Sequence, residues 1–274
     1  MNELMYGHNS LAIVTGLLIC MMLSAELGYR VGRRRSARAS ENIRSQVNTV
    51  LAAMLGLLAL LLGFTYSLAL QRYEDRSQAV VSEANAIGTA YLRTNLLPGE
   101  LRSDIQAMLR QYVDIRVREG RVSLDDAAGE DALSRQGSAL AVKVWGLAIR
   151  ALEKDDRPAT TGLFIQALNE LIDAADRHRA ALDRHVPESV LFLVFVTFVL
   201  TTTVLGYASG IAAHRVTLPG LTLLVLIAMV VYLIIDLDRP RRGFIQVKQD
   251  SLVNVQRGMT GAPDSPTAPG SAGK

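Results

Sequence analysis

The stretch VNTVLAAMLGLLALLLGFTYSLAL, residues 47–70, decides the fold because it holds no charged residue. At about 1.5 Å of rise per residue, a helix of this length crosses a hydrocarbon core about 30 Å thick. Residues 11–28, 190–208 and 218–237 are of similar length and nearly free of charge. Buried helices of water-soluble proteins are usually shorter and keep a polar face. The four stretches therefore predict four transmembrane helices.

The rest of the sequence divides around these spans. Half of the 274 residues are hydrophobic, and the charged residues lie mainly between the spans. We therefore predict an all-α fold, with four transmembrane helices and a helical extramembrane bundle inserted between the second and third spans. The predicted segments are a transmembrane hairpin at 9–70 (spans 11–28 and 47–70), a helical extramembrane domain at 71–187, a second hairpin at 188–237 (spans 190–208 and 218–237), a juxtamembrane segment at 238–257 and a tail at 258–274.

The last two segments differ in composition. The tail at 258–274 is rich in Gly, Pro, Ser, Thr and Ala, which are too polar and too small to form a core, so we predict that it is disordered. In the juxtamembrane segment, Phe244, Ile245 and Val247 predict a short strand or an interfacial segment.

The first loop carries the strongest charge bias of the chain. Residues 29–46 contain six arginines against Glu41 alone. Basic residues near span ends stay on the cytoplasmic side, which predicts a cytoplasmic first loop and a domain 71–187 on the outside. Anchoring of these arginines to lipid headgroups is an alternative that gives the same orientation. Arg239, just after the fourth span, favours the opposite one.

Helical periodicity runs through residues 71–187. Apolar residues recur there every three or four positions, which predicts amphipathic helices. The four stripes are Val80, Ala84, Ile87 and Tyr91; Leu101, Ile105, Met108, Tyr112 and Ile115; Leu133, Leu140, Val144 and Leu147; and Phe164, Leu168, Leu171, Ala175 and Leu182. Turn residues predict breaks at Pro98 and Gly99, at 120–129 and at 155–158. Since no break follows the second span, residues 47–96 predict one continuous helix.

Residues that carry catalysis or bind metals are scarce. The single cysteine, Cys20, excludes an intramolecular disulfide and a cysteine-based zinc site. The histidines are His8, His178, His185 and His214, and none has a partner at ligand spacing. We therefore expect no enzyme activity, no metal site and no cofactor. The domain 71–187 has 18 acidic and 16 basic residues, a balance that argues against a nucleic-acid surface.

One charged cluster is interpreted as a solvated helix face rather than a site. Asp173, Asp176 and His178 lie around Arg177 and Arg179, and alternating charges are typical of exposed helices. In the first span, Glu26 lies one helical turn before Arg30, which predicts that these two side chains neutralise each other.

Small residues form a stripe on the second span. Ala52, Gly56, Ala59, Gly63 and Ser67 follow one another at three or four positions. Small side chains on one face let a second helix approach closely in a bilayer. Two alternatives follow: the stripe packs inside its own chain, or it lies at a central axis where copies of the helix meet around a pore.

Two stretches resemble a family of bacterial membrane proteins described as bestrophin-like. They are LGFTYSLALQRYEDRSQAVVSEANAIGTAYLR, residues 62–93, and LDRPRRGFIQV, residues 237–247. The residues that carry the resemblance are Arg72, Tyr73, Asp75 and Arg76 at the predicted membrane exit and the juxtamembrane Asp238, Arg239 and Pro240. The resemblance implies a multi-pass protein of the bacterial inner membrane, in a family to which no function is assigned.

True bestrophins are pentameric anion channels in which a helical domain follows a pore-lining second span. The resemblance to them implies a homo-oligomer in the lipid bilayer that conducts small anions. The alternative is a non-conducting, membrane-anchored helical module that binds a partner or senses the state of the envelope. A near-neutral helical domain without site chemistry favours this alternative.

The sequence departs from the bestrophin pattern at three points. Bestrophin pores narrow at large apolar side chains one turn apart, whereas the second span offers Phe64 and Tyr66 among small residues and leucines, so no constriction is predicted. Arginines follow Asp236 and Asp238, so no calcium clasp is expected. Bestrophins keep the helical domain in the cytoplasm, which conflicts with the arginine-rich first loop.

Overall fold

The structure, a computed structural model, describes residues 10–38, 40–122, 127–215, 218–239 and 245–261. In these residues it contains eight α-helices and no strand. They are α1 (Ser10–Arg35), α2 (Glu41–Arg93), α3 (Gly99–Glu119), α4 (Ala127–Lys154), α5 (Leu163–Leu182), α6 (Glu188–Ile211), α7 (Leu218–Asp238) and α8 (Asp250–Thr260). The helices α1, α2, α6 and α7 contain the four stretches long and apolar enough to cross a membrane, which confirms the predicted spans.

Helix α2 confirms the prediction of one continuous helix beyond the second span. It has 53 residues, so it is roughly 80 Å long at 1.5 Å per residue. A short 3₁₀ turn, Thr94–Leu96, ends it before Pro98, the first proline after its start. Proline disfavours a helical residue before it, which explains where α2 stops. The breaks predicted after α3 and after α4 are also present.

The chain folds into two compact units. The first contains residues 1–74 and 184–246, and the second contains residues 75–183 and 247–274. The first therefore holds the apolar parts of the spans, and the second holds α3, α4, α5, α8 and the last third of α2. Each unit has its own hydrophobic core.

Glycines bring α1 and α6 into direct backbone contact within the first unit. Added Cβ atoms would collide with carbonyl oxygens of the other helix at all four glycines: Gly28 with Thr203, Gly32 with Tyr207, Gly206 with Ala25 and Gly210 with Tyr29. Each helix thus carries two glycines four residues apart, the spacing that lets membrane helices approach most closely. The sequence alone did not predict this pair of motifs.

Hydroxyl groups of α6 bond mainly to their own helix. Thr202 Oγ1 donates to the Phe198 carbonyl at 2.9 Å, and Thr203 Oγ1 donates to the Val199 carbonyl at 2.7 Å. The Ser24 hydroxyl of α1 lies 2.7 Å from Thr202 Oγ1 and adds one polar link between the two helices. Such bonds satisfy polar groups where no water is present.

The second unit closes around a core to which four helices and α8 contribute. Ile87 of α2, Ile105 of α3, Phe164 of α5 and Leu252 of α8 are fully buried there. The C-terminal helix is held further by Arg110, whose Nε donates to the Met259 carbonyl at 3.0 Å. Helix α8 runs from Asp250 to Thr260 and so crosses the predicted boundary between the juxtamembrane segment and the tail at 257.

Two other predictions for the end of the chain need correction. Residues 258–260 belong to α8, whereas the sequence predicted a disordered tail from 258 onward. The helix ends at Gly261, whose φ of 69° is left-handed and favours glycine. Residues 245–249 form no strand. Phe244 and the remainder of the tail, 262–274, lie outside the described residues.

Gly28→Ala tests the contact between α1 and α6. The added methyl group must push against backbone, which cannot rotate away, so we expect a loss of roughly 1–3 kcal/mol in stability. Gly16→Ala on the same helix is the matched control, because no atom lies within 4 Å of its Cβ position. Thermal melting in one detergent compares the two variants. Equal melting temperatures would show that α1 and α6 are not in close contact.

Candidate functional site

The apolar part of α2 is the least buried of the four spans. Only 6% of its most apolar window of 18 residues is buried by the rest of the chain, compared with 33% for α1, 33% for α6 and 44% for α7. One face does pack inside the first unit, where Leu58, Thr65 and Ala69 are buried. Leu55, Leu61 and Leu62 pack partly against the same core, and most other residues of the span are exposed.

The predicted small-residue stripe lies on the unburied side. Ala52, Gly56, Ala59, Gly63 and Ser67 are all exposed. A Cβ atom at Gly56 or Gly63 would meet nothing within 4 Å. The alternative in which the stripe packs inside its own chain is therefore wrong for the described residues. Backbones approach closely at the α1 and α6 glycines instead.

A row of large apolar side chains lies beside the stripe. Leu57, Leu60 and Phe64 are 53%, 55% and 66% exposed, and their spacing of three and four places them on one face of α2. This row was not predicted from the sequence. The signal was present in the spacing, but nothing in the sequence showed which leucines of the span are buried.

The motif predicted at the membrane exit continues along α2. Arg72 and Tyr73 belong to the first unit, and Asp75 and Arg76 to the second. Tyr73 packs against an apolar cluster formed by Ala69, Val186, Leu191, Ile234 and Leu237. The Arg76 side chain is fully buried, so this part of the motif is interior rather than exposed to solvent.

The juxtamembrane aspartates hold backbone groups. The Val186 N–H donates to both Asp238 carboxylate oxygens, at 3.0 and 3.1 Å, and the Ile245 N–H donates to Asp236 Oδ2 at 3.0 Å. Asp236, Asp238 and Arg239 are buried. The aspartates thus tie the start of α6 and the segment after α7 to the end of α7. The third predicted residue, Pro240, lies outside the described residues.

A buried ion-pair network joins three helices in the second unit. Arg116 of α3 donates from Nε to Glu83 Oε1 of α2 at 2.5 Å and from Nη2 to Glu83 Oε2 at 3.0 Å. It also donates to Glu119. His178 of α5 completes the network, with Nδ1 2.5 Å from Glu83 Oε2. His178 is 4% exposed, so the interpretation of its cluster as a solvated helix face is wrong for this residue.

The network strongly perturbs its ionisable groups, which lie beyond the apolar part of α2. Burial by itself would raise the pKa of Glu83, but hydrogen bonds from His178 and Arg116 and their charges lower it to about 2. Burial would lower the pKa of Arg116, but its bonds to Glu83 raise it above the usual value. Burial and the Glu83 charge raise the pKa of Tyr112.

The lowered pKa of Glu83 predicts how the stability of the second unit depends on pH in acid. The pKa of Glu83 is about 2 in the folded chain, and its ordinary value is 4.5. The ionised carboxylate therefore stabilises the folded state fully above pH 4.5, and this stabilisation is lost as the pH falls towards 2. Glu83→Gln should therefore flatten the dependence of unfolding free energy on pH in this range. It should also cost roughly 3–5 kcal/mol at neutral pH, because Arg116 loses its buried partner.

Glu153→Gln is the matched control, since Glu153 is exposed on α4. It should keep the slope of the unmodified chain. Chemical unfolding at several pH values measures both variants. An unchanged slope for Glu83→Gln would show that the carboxylate does not carry the acid sensitivity.

A half-open cavity of about 270 Å³ adjoins the network. Its walls are largely apolar and come from α3, α4 and α5, including Tyr112, Trp145 and Ile172. At its rim, Arg179 Nη2 donates to Ser134 Oγ at 2.6 Å. No group of three or more His, Cys, Asp or Glu side chains that suits a metal ion occurs in the described part of the chain.

Comparisons with known proteins match this architecture. Two solved structures of variants of the bacterial bestrophin homologue from Klebsiella pneumoniae align with TM-scores of 0.67 and 0.64. Their sequences are 16% and 15% identical to this chain, with 93% and 90% of this chain and 99% and 98% of theirs covered. At this identity the likeness establishes the fold. A search of curated protein sequences gives no match.

The sequence match is more specific. The family model described as the bestrophin-like domain covers residues 17–252, from within α1 to within α8. It therefore includes the candidate stripe, the motif on α2, the juxtamembrane aspartates and the buried network. Since the match spans most of the chain, the chain belongs to the bestrophin-like family of membrane proteins.

Proposed function

We propose that the chain is one subunit of a homo-oligomeric channel for small anions in the bacterial inner membrane, with copies of α2 arranged around a central pore. The observation that carries this proposal is the exposure of α2. Its apolar part is only 6% buried by its own chain, although it is continuous with a helix that enters the core of the second unit. Copies of α2 are the natural partners for its unburied side.

The two unburied faces of α2 suit two different roles. Gly56 and Gly63 allow close contact between neighbouring α2 helices, because no side chain of the same protomer fills the space beside them. Leu57, Leu60 and Phe64 lie on the adjacent face and form the constriction of the pore. Apolar constrictions of this kind gate ion flow by expelling water.

The choice of small anions rests on the family together with the start of α2. Ser45, Asn48 and Thr49 extend the small-residue stripe with polar side chains. Arg44 lies beside them, on the same open hollow at the N-terminal end of the helix, and Glu41 also lines this hollow. Hydroxyl, amide and guanidinium groups can all donate hydrogen bonds to a partly dehydrated anion.

Flux measurements test conduction. The purified chain in liposomes should pass chloride, and Phe64→Ala should raise the flux several-fold because it widens the constriction. Phe192→Ala is the matched control, since Phe192 of α6 is 68% exposed compared with 66% for Phe64. It should leave the flux unchanged. A chain that is monomeric in mild detergent and silent in liposomes would contradict the proposal.

Gly63→Leu tests assembly through α2. Leucine has room within the protomer, so the protomer should fold normally, while the neighbouring copy is pushed away and the oligomer dissociates. Leu61→Ile conserves volume off the stripe and should have little effect. Mass measurement in detergent or native lipid decides between the outcomes. An unchanged oligomer would show that the stripe is not the contact.

The second candidate function is the non-conducting helical module that binds a partner. The half-open apolar cavity of the second unit favours it, because Trp145 and Ile172 offer a surface for an apolar group. Crosslinking in cells should then capture one reproducible partner, and substitution of Trp145 should abolish the capture. Positive flux without a partner would favour the channel.

A further inference from the structure

A strongly basic surface lies where α1 and α6 end in the first unit. Helix α1 finishes with the exposed residues Arg33, Arg34 and Arg35. After α6, His214 and Arg215 are also exposed. We call these five residues the basic surface. Glu26, the acidic residue of α1, pairs with Arg30 at 2.9 Å and so does not neutralise the basic surface.

Backbone packing brings the two parts of the basic surface together. Gly210 of α6 lies directly against Tyr29 and Arg33, and a Cβ atom there would be 2.8 Å from the Arg33 nitrogen. The Arg215 guanidinium lies over the Tyr29 ring, 5.7 Å from its centre. A cation held over an aromatic ring is attracted by its electrons, so Arg215 is positioned towards α1. The charge therefore comes from the last turn of α1 and from the segment after α6, which are distant in sequence.

We infer that the basic surface binds the headgroups of anionic phospholipids. It lies at the ends of two apolar spans, where a helix leaves the hydrocarbon core and meets the headgroups. Tyrosine favours this depth because its ring is apolar and its hydroxyl is polar. Arginine binds phosphate through two parallel hydrogen bonds, and clustered arginines beside spans attract anionic lipid.

The competing explanation is that the arginines only direct insertion. Basic residues set the orientation of spans during membrane insertion without binding a particular lipid afterwards. That role makes no difference to a purified chain that is already folded. Lipid preference of the purified chain therefore separates the two explanations. Inorganic phosphate tests whether the phosphate group alone is bound or whether binding needs the whole lipid.

The experiment uses the full chain in mild detergent supplemented with phosphatidylglycerol or phosphatidylcholine of the same acyl composition. Phosphatidylglycerol should raise the melting temperature more than phosphatidylcholine, and native mass spectrometry should show it retained. Inorganic phosphate at the same concentration should not replace it. Replacement of Arg33, Arg34 and Arg35 together by glutamine should remove at least about half of the extra stabilisation.

Two further variants make the outcome specific. Arg215→Gln tests the segment after α6 and should reduce retention of phosphatidylglycerol. This variant keeps the test informative if the triple variant fails to insert into the membrane. Arg135→Gln is the control, because this arginine is 74% exposed on α4 in the second unit. It should change nothing. Equal stabilisation by both lipids, or full retention by Arg215→Gln, would overturn the inference. Neither readout depends on conduction.

Discussion

Lipid is as apolar as leucine, so two helices in a bilayer stay together only where their atoms fit closely. The structure meets this constraint at one place above all, the paired glycines Gly28 and Gly32 of α1 and Gly206 and Gly210 of α6. Backbone lies against backbone there, and the Ser24 hydroxyl adds a polar bond to Thr202. The α1 and α6 pair is thus held by contacts within a single chain.

Helix α2 differs from this pair because the glycines of its apolar span contact no other described helix of the chain. Its glycines, Gly56 and Gly63, have the same sequence character as those of α1 but face open space. The first, third and fourth spans pack against one another within the chain, whereas most of the second span is exposed. The buried Glu83, Arg116 and His178 network fixes the far end of the same helix in the second unit. An oligomer would therefore combine a firmly held helix end with a span open to its neighbours.

Local patterns were enough to predict the spans, the continuous α2 and the breaks between later helices, because length, apolar periodicity and proline act over a few residues. Contacts between distant segments were not predictable in this way. His178 and Glu83 are 95 positions apart, and the charged neighbours of His178 suggested solvent. The glycines of α1 and α6 were no more conspicuous than Gly56 and Gly63. Only the fold shows which glycines meet a partner and which leucines are left exposed.

Helix α8 belongs to the core of the second unit but is synthesised after the last span. Leu252 and Met259 complete the core of the second unit, yet the ribosome adds them only after α7, the last span, has been made. The helices α3, α4 and α5 are synthesised earlier, so the part of their core that α8 covers has no partner until then. Partly folded apolar surfaces invite aggregation and draw chaperones. The core of this unit can therefore be complete only after α7 has been synthesised.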